Sequence, residues 1–401
     1  VSRDGPVVSI RIVGGDDSDR RVDLQDRLMS FEFEDNARMA DRCIIKLDNW
    51  DLEMIDDETW ARGQLLEVAW GYIGNMHPPR QVVVKKVRGG IDLTVEALAT
   101  SVLMDREQKT RTFNNVRRSD VVRQIAIENG FDRNFLFVEN TDEEFETIVQ
   151  AAETDARLLK RLANKEGFTF YVDHTGLHWH EEEFDTQPTH RLQYFTDPGR
   201  GDIISFELDA NLAHQPANIR VKGRDPETKK EFEGEGSDSK TSRTELGNQI
   251  EVVDPRTGET SIQDRNATGT RHYSSAKNER QAKREADARF RKASRERIKM
   301  KLNIVGDPTL TAKRVIEVGG MGDYLSGKYY VAVSKHTITG NGYDQAINLR
   351  RGSALRVALG GSDTDADKNT KQVKEGNELF ERVNEMSGET TFHPNPIKRG
   401  T

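Results

Sequence analysis

The chain has 401 residues, enough for two or three domains that each bury a core of their own. Charged residues make up 32%, hydrophobic ones 34% and aromatics 7%, so compact domains must coexist with much exposed surface, loop or tail. A formal net charge of -8 argues against a chain whose main task is neutralising phosphates along a duplex, and no apolar run approaches the roughly 20 residues a bilayer span needs.

From the amino end, apolar residues alternate with the period of half-buried strands: Val8, Ile10 and Ile12, then Phe31 and Phe33, then Cys43, Ile45 and Leu47. The pattern continues through Leu66, Val68, Trp70 and Tyr72, and again through Ile91, Leu93 and Val95. Turn-forming clusters separate the runs at Gly14-Gly15-Asp16-Asp17, Asp48-Asn49-Trp50-Asp51 and His77-Pro78-Pro79. Residues 1–100 therefore read as an antiparallel β domain, a small barrel or sandwich. Cys43, the single cysteine, sits in one of these strands as a small buried hydrophobe, so no disulfide forms within the chain and a reducing compartment suits it. Residues 1–13 lack the basic flank and apolar block of a secretory signal, and the ordinary secretory route is not expected.

Residues 101–200 change character to α+β. Ser119 is the expected N-cap of a helix with Val121, Val122, Ile125 and Ala126 on its apolar face and Gly130 at its end. A second helix is capped by Thr154 or Asp155, buries Leu158, Leu159, Leu162 and Ala163, and stops at Gly167. Phe168–Val172 and Leu177–His180, joined through Gly176, read as a hairpin.

Strand alternation returns at 203–208 and 219–221. Residues 224–275 are polar with few apolar positions and read as a long excursion or mobile loop. A helix on Ala282, Ala286, Phe290 and Ala293 follows, its stripe narrow enough for close packing but small in area. Strands resume at 298–302, 315–318, 329–333, 338 and 346–349. The flanking pieces, 201–222 and 298–359, compose a second β domain split by residues 223–297, and 360–401 form a polar C-terminal tail that is disordered alone and orders on a partner. The fold class is thus α+β and β-rich: two antiparallel β domains with an α+β insert.

No constellation of residues makes a persuasive catalytic or cofactor site. His178 and His180 share one face of a strand, beside His174 and Glu181-Glu182-Glu183, and two nitrogens so placed could hold zinc, but no third ligand stands at a diagnostic spacing. They read as the solvated face opposite Leu177 and Trp179. Neighbouring carboxylates such as Asp56-Asp57 and Glu143-Glu144 carry little signal among 68 acidic residues. Gly319-Gly320-Met321-Gly322 lacks the Lys-Ser/Thr pair of a phosphate cradle, and no Gly-x-Ser-x-Gly occurs. The basic helix expected over 277–301 also carries Glu279, Glu285, Asp287 and Glu296 at ion-pairing spacings, which suits a solvated or partner-facing helix better than one that reads nucleic acid.

Three passages in order give the chain a family likeness: Asp92–Leu98 leading to Thr112 and Ser119–Ala126; Thr154–Val172 with its hairpin; and Gly306-Asp-Pro-Thr-Leu310 followed by Tyr324–Val331 and Ser334–Ile338. In these the sequence resembles the phage late control protein D family, tail-hub proteins related to the first half of VgrG spikes and similar to gp27. The likeness spans roughly residues 5–355, and no spike-like domain follows it. It implies two tail-tube-like β-barrels in one chain and a homotrimer whose six barrels adapt a sixfold tail tube to a threefold central spike. The implied partners are the tail tube protein, a separate spike protein and other baseplate proteins, with no cofactor and no sequence-specific nucleic acid. The implied place is the tail or baseplate of a virion or injection particle, assembled in the bacterial cytoplasm. The rival expectations are a tail-associated peptidoglycan hydrolase, which needs a catalytic constellation, and a glycan-binding module, which needs Trp179 or Trp70 exposed.

Overall fold

The computed structural model describes residues 5–351 except 14–20, 23, 25–26, 185, 195–200, 211–218, 226–227, 237–248, 254–259, 265–269, 275, 277 and 297. The turn expected at 14–17, much of the excursion at 224–275 and the tail at 360–401 lie outside the described residues. The chain divides into two compact units, a larger one of Val1–Asp209, Lys299–Gly320 and Lys328–Arg350, and a smaller one built chiefly from Ala210–Ile298.

Alternation builds the larger unit. In Leu65–Tyr72 the residues Leu66, Val68 and Trp70 are buried, in Asp92–Ala99 Leu93, Val95 and Ala97, and in Ile298–Val305 Ile298, Met300, Leu302 and Ile304, with the residues between them more open. These strands join one 14-stranded, mainly antiparallel sheet. Its main path runs Ile203–Ala210, Ile298–Val305, Gly342–Arg351, Gly327–Thr339, Leu28–Asn36, Arg42–Asp48, Asp92–Ala99, Arg80–Gly89, Leu65–Tyr72, Val7–Ile12, Arg21–Val22. The two ends of this path do not pair with each other, so the described residues of one chain form an open sheet and no closed barrel. Nor are the two expected β domains separate. Gly327–Thr339, at 13 residues, is long enough to pair with Gly342–Arg351 on one side and, through Val333–Thr339, with Leu28–Asn36 on the other, which fuses both sets of strands. A core of Phe31, Phe33, Ile45, Leu66, Val68, Trp70, Val82, Leu93 and Val95 fills the first half and takes in Ile338 and Tyr343 from the second.

The α+β insert has its own core of Val122, Ile125, Leu158, Leu159, Leu162, Leu177 and Trp179. Helix Asp155–Glu166 is capped by the Thr154 hydroxyl, which accepts from the Arg157 N–H at 3.3 Å, and it ends at Gly167 in the left-handed region (φ 77°). The first helix differs from expectation. Strand Gln108–Arg117 runs straight into helix Arg118–Glu128, so Ser119 lies inside it, and the Ser119 N–H is taken by the Thr141 hydroxyl at 3.2 Å. The hairpin pairs Phe168–Asp173 with Gly176–Glu181, and Leu136–Val138 adds a parallel third strand. A Cβ at Gly176 would stand 2.0 Å from the Phe135 carbonyl oxygen, so this close approach requires glycine.

In the smaller unit the excursion contains more strand than its polarity suggests. Ile219–Arg224, expected in the second barrel, pairs instead with Glu231–Gly236 and, in parallel, with Thr270–Tyr273, while Gln249–Val253 pairs with Thr260–Asp264. Helix Glu279–Ser294 is shorter than expected, and Lys299 and Lys301 belong to the exposed face of the following strand. Ala282, Ala286 and Ala288 are buried on it beside Glu285, and Gly234 and Gly236 show how closely it packs: a Cβ there would meet helix backbone atoms at 2.2 and 2.3 Å.

Candidate functional site

One group of side chains breaks the apolar rule of the larger unit's interior. Asp35 near the end of its strand, Asp41 just before the next, and Arg80 at the start of a third are each at most 4% exposed. Lys313, held at φ 66° in the left-handed region, brings an ammonium whose side chain is 5% exposed. The Lys313 Nζ donates to Asp35 Oδ1 and, at 3.2 Å, to Asp41 Oδ1, while Arg80 Nη2 donates to Asp35 Oδ2 at 3.1 Å. Backbone donors complete the carboxylates: Ala312 N–H to Asp35 Oδ2 at 3.2 Å and Asn36 N–H to Asp41 Oδ1 at 3.0 Å.

The cluster is also where the insert fastens to the sheet. Asp173 Oδ2 of the hairpin stands 4.0 Å from Arg80 Nη1, and the Tyr171 ring lies under Lys313 Nζ at 4.6 Å. Nearby, Thr169 donates its hydroxyl to the Ala37 carbonyl at 3.0 Å, and Lys160 Nζ reaches the Arg38 carbonyl at 3.1 Å.

Burial and charge pull the acids apart. Burial works against the Asp35 carboxylate, but Lys313 and Arg80 outweigh it and hold its pKa well below the usual range. For Asp41 burial wins over Lys313, with the Asp35 charge adding to it, and the carboxyl is pushed up to about 7. Burial, with Arg80 close by, drops His77 to about 3. His77 stacks on Trp70 at 4.1 Å. Burial likewise drops His336 to about 3, where its Nδ1 meets the Tyr343 hydroxyl at 2.7 Å and its Nε2 the Ser334 hydroxyl at 3.2 Å. Ion-paired acids and neutral imidazoles so enclosed are suited to holding strands in place.

The histidines singled out from the sequence lie elsewhere on the hairpin. The His178 ring is stacked between Phe137 and Tyr171, both at 4.5 Å, with Nε2 at 2.7 Å from the Thr175 hydroxyl and 3.2 Å from Asp173 Oδ1. His180 directs Nδ1 at the Glu181 carbonyl, 2.8 Å away. Among the described residues no three His, Cys, Asp or Glu side chains gather in a way that could hold a metal. Trp70 and Trp179 are fully buried, and Trp179 donates its indole N–H to the Leu159 carbonyl at 3.2 Å, so neither offers the open ring face expected of a glycan-binding module.

Two surface features remain. Among the described residues strand Ile203–Ala210 lies at one end of the sheet path, with Ile204, Phe206 and Leu208 exposed in a row along one face. An apolar loop at Trp50–Ile55 is the other. Sequence reading passed over Asp35, Asp41, Arg80 and Lys313, because nothing local distinguishes four charges in a chain with 68 acids and 60 bases.

Residues 46–340 match the model of a family described as the Alg8 N-terminal domain. Among solved structures, the tail protein from Neisseria meningitidis MC58 superposes with a TM-score of 0.62 at 12% identity, covering 88% of this chain and 98% of that one. The 43 kDa tail protein of prophage MuSo2 from Shewanella oneidensis gives 0.60 at 12% identity, with coverage of 87% and 99%. An E. coli component of the type VI secretion system, described as structurally similar to the T4 bacteriophage tail proteins gp27 and gp5, gives 0.51 at 11% identity, with coverage of 87% and 79%. No curated protein matches the chain in sequence. At such identities the likeness is one of fold, and the fold is that of phage tail proteins.

Proposed function

The chain belongs to the Alg8 N-terminal domain family, and from its fold we propose that it is a structural hub subunit of a contractile phage tail or phage-like injection machine. The observation that carries this reading is the superposition of most of the chain on nearly the full length of two phage tail proteins. In this reading three copies form a ring between a sixfold tail tube and a threefold central spike. The strands of residues 7–99 supply one tube-type wall of each subunit and those of 190–210 and 298–351 the other. The open sheet of the described residues supports it, since Ile203–Ala210, at one end of its path, is where a neighbouring subunit could add strands, and obligate assemblies of this kind bury upward of about 2,000 Å².

In this reading the role is non-catalytic, since the chain shares its fold with phage tail proteins and its buried acids Asp35 and Asp41 are tied to Lys313. The chain resides in the tail or baseplate and is assembled in the bacterial cytoplasm, beside tube, spike and other baseplate proteins. Antibody labelling of purified particles tests this. Label at the baseplate end of the tail is expected; label along the sheath or on no particle, or release of peptidoglycan fragments by the purified chain, would overturn it.

A further inference from the structure

Four large apolar side chains stand together in the open at one end of the larger unit's sheet: Trp50 is 71% exposed, Leu52 52%, Ile55 50% and Ile91 69%. Ile91 belongs here because the backbone puts it here. Asp48 pairs with Asp92 across adjacent strands, and the Asn49 N–H donates to the Ile91 carbonyl at 2.7 Å. A group of this size on two adjoining turns is unlike the scattered apolar residues of an ordinary surface and marks an interaction site.

The loop is built to keep its shape. Asn49 is fully buried, and its side chain donates to the Gly90 carbonyl at 2.6 Å and accepts from the Met54 N–H at 2.9 Å. Met54 in turn packs on the sheet's core. Arg27 grips both Asp51 oxygens, at 2.8 and 2.5 Å. Leu52 sits at φ 66°, a left-handed conformation that a leucine adopts only when its surroundings impose it. A rigid tip with a tryptophan at its summit is the form that binding hot spots take, because little freedom is lost on docking.

Charge says what the tip meets. Glu53, Asp56, Glu58 and Asp92 are exposed around it, the exposed Lys46 and Arg88 lie further back along the strands on either side of Thr94, and the nearby Arg27 is already engaged by Asp51 and Glu53. Such a rim repels an anionic bilayer, and a second copy presenting the same face would set carboxylates against carboxylates. We propose that loop 48–58 with Ile91 is a docking knob for a different protein subunit of the particle, one that offers an apolar socket rimmed by Lys and Arg. The proposal rests on the hub reading.

The test compares particles made in cells carrying the wild-type chain, Trp50→Ala/Ile91→Ser, or the rim variant Glu53→Lys/Asp56→Lys/Glu58→Lys, by the amount of chain recovered in purified tails. Each variant should lower incorporation about tenfold or more while the isolated protein keeps its melting temperature and native mass. Should the double variant misfold, Ile91→Ser alone suffices, because the contact to Asn49 uses the Ile91 backbone. Wild-type incorporation of a folded variant overturns the knob. So does a changed native mass, which would place the face between copies, and so does binding of the wild type to phosphatidylglycerol vesicles that the variants lose. Absence of the wild-type chain from particles overturns the hub reading along with the knob.

Discussion

Replacing Lys313 by Met tests the buried charge cluster where its geometry is most demanding. The Lys313 Nζ serves Asp35 and Asp41 at once and lies on the Tyr171 ring, so its loss leaves the two carboxylates their backbone donors and one close cation, Arg80, which bonds Asp35 at 3.1 Å but stays 4.0 Å from Asp41. Breaking a buried pair by removing one partner costs about 3–5 kcal/mol, and methionine preserves the stem's volume, so nearly all of that loss is electrostatic. The cost should be largest above pH 7, where Asp41 is ionised, and smaller near pH 5, where its pKa of about 7 keeps it neutral. Adding Asp41→Asn to Lys313→Met should recover part of the loss at high pH, with a coupling of about 0.5–3 kcal/mol in the double-mutant cycle. Urea denaturation followed by tryptophan fluorescence at both pH values measures this. A loss under about 1 kcal/mol above pH 7, or strict additivity, would refute the idea that these charges hold the insert to the sheet.

Further expectations concern pH, close packing and thiol chemistry. Burial holds His77 and His336 at about 3, below the 6.5 of an ordinary histidine, so the folded protein loses stability as pH falls from 6.5 toward 3, and His336→Gln should reduce that slope by about 1.4 kcal/mol per pH unit. Asp41 acts oppositely: its folded value of about 7 exceeds 3.8, its contribution is present below 3.8 and lost as pH rises through 7, and Asp41→Asn should remove that decline from the urea midpoints. Gly236→Ala would put a Cβ 2.3 Å from the Ala286 carbonyl oxygen, and a destabilisation of about 1–3 kcal/mol should speed amide exchange in helix Glu279–Ser294; unchanged exchange would contradict the packing. Burial pushes the Cys43 thiol up, so iodoacetamide should label it only in denaturant, and rapid labelling of the native protein would show that its strand opens.

What could be read from the sequence was what is local. Period-2 alternation located the strands around Leu66, Val68 and Trp70 because each buries one face against a shared core, and Thr154 and Gly167 marked a helix whose caps are neighbours of their own turns. Ile91 misled because it continues the alternation of Leu93 and Val95 by one step, yet the strand begins at Asp92 and Ile91 lies in the turn beyond it. Polarity hid Glu231–Gly236, whose glycines are chosen for a helix backbone that lies some fifty residues downstream. The charge cluster was out of reach for the same reason in stronger form: Asp35 and Lys313 are 278 positions apart, and only the fusion of two sets of strands through Gly327–Thr339 brings them together.

The account turns on subunits completing one another's sheets, and the mass of the intact assembly in native mass spectrometry tests that most directly. Three chains of 45.5 kDa should travel as one particle at micromolar concentration and fall apart when the exposed row Ile204, Phe206 and Leu208 is made polar. A wild-type protein that holds the mass of a single chain, well folded and soluble with that edge uncovered, would contradict it.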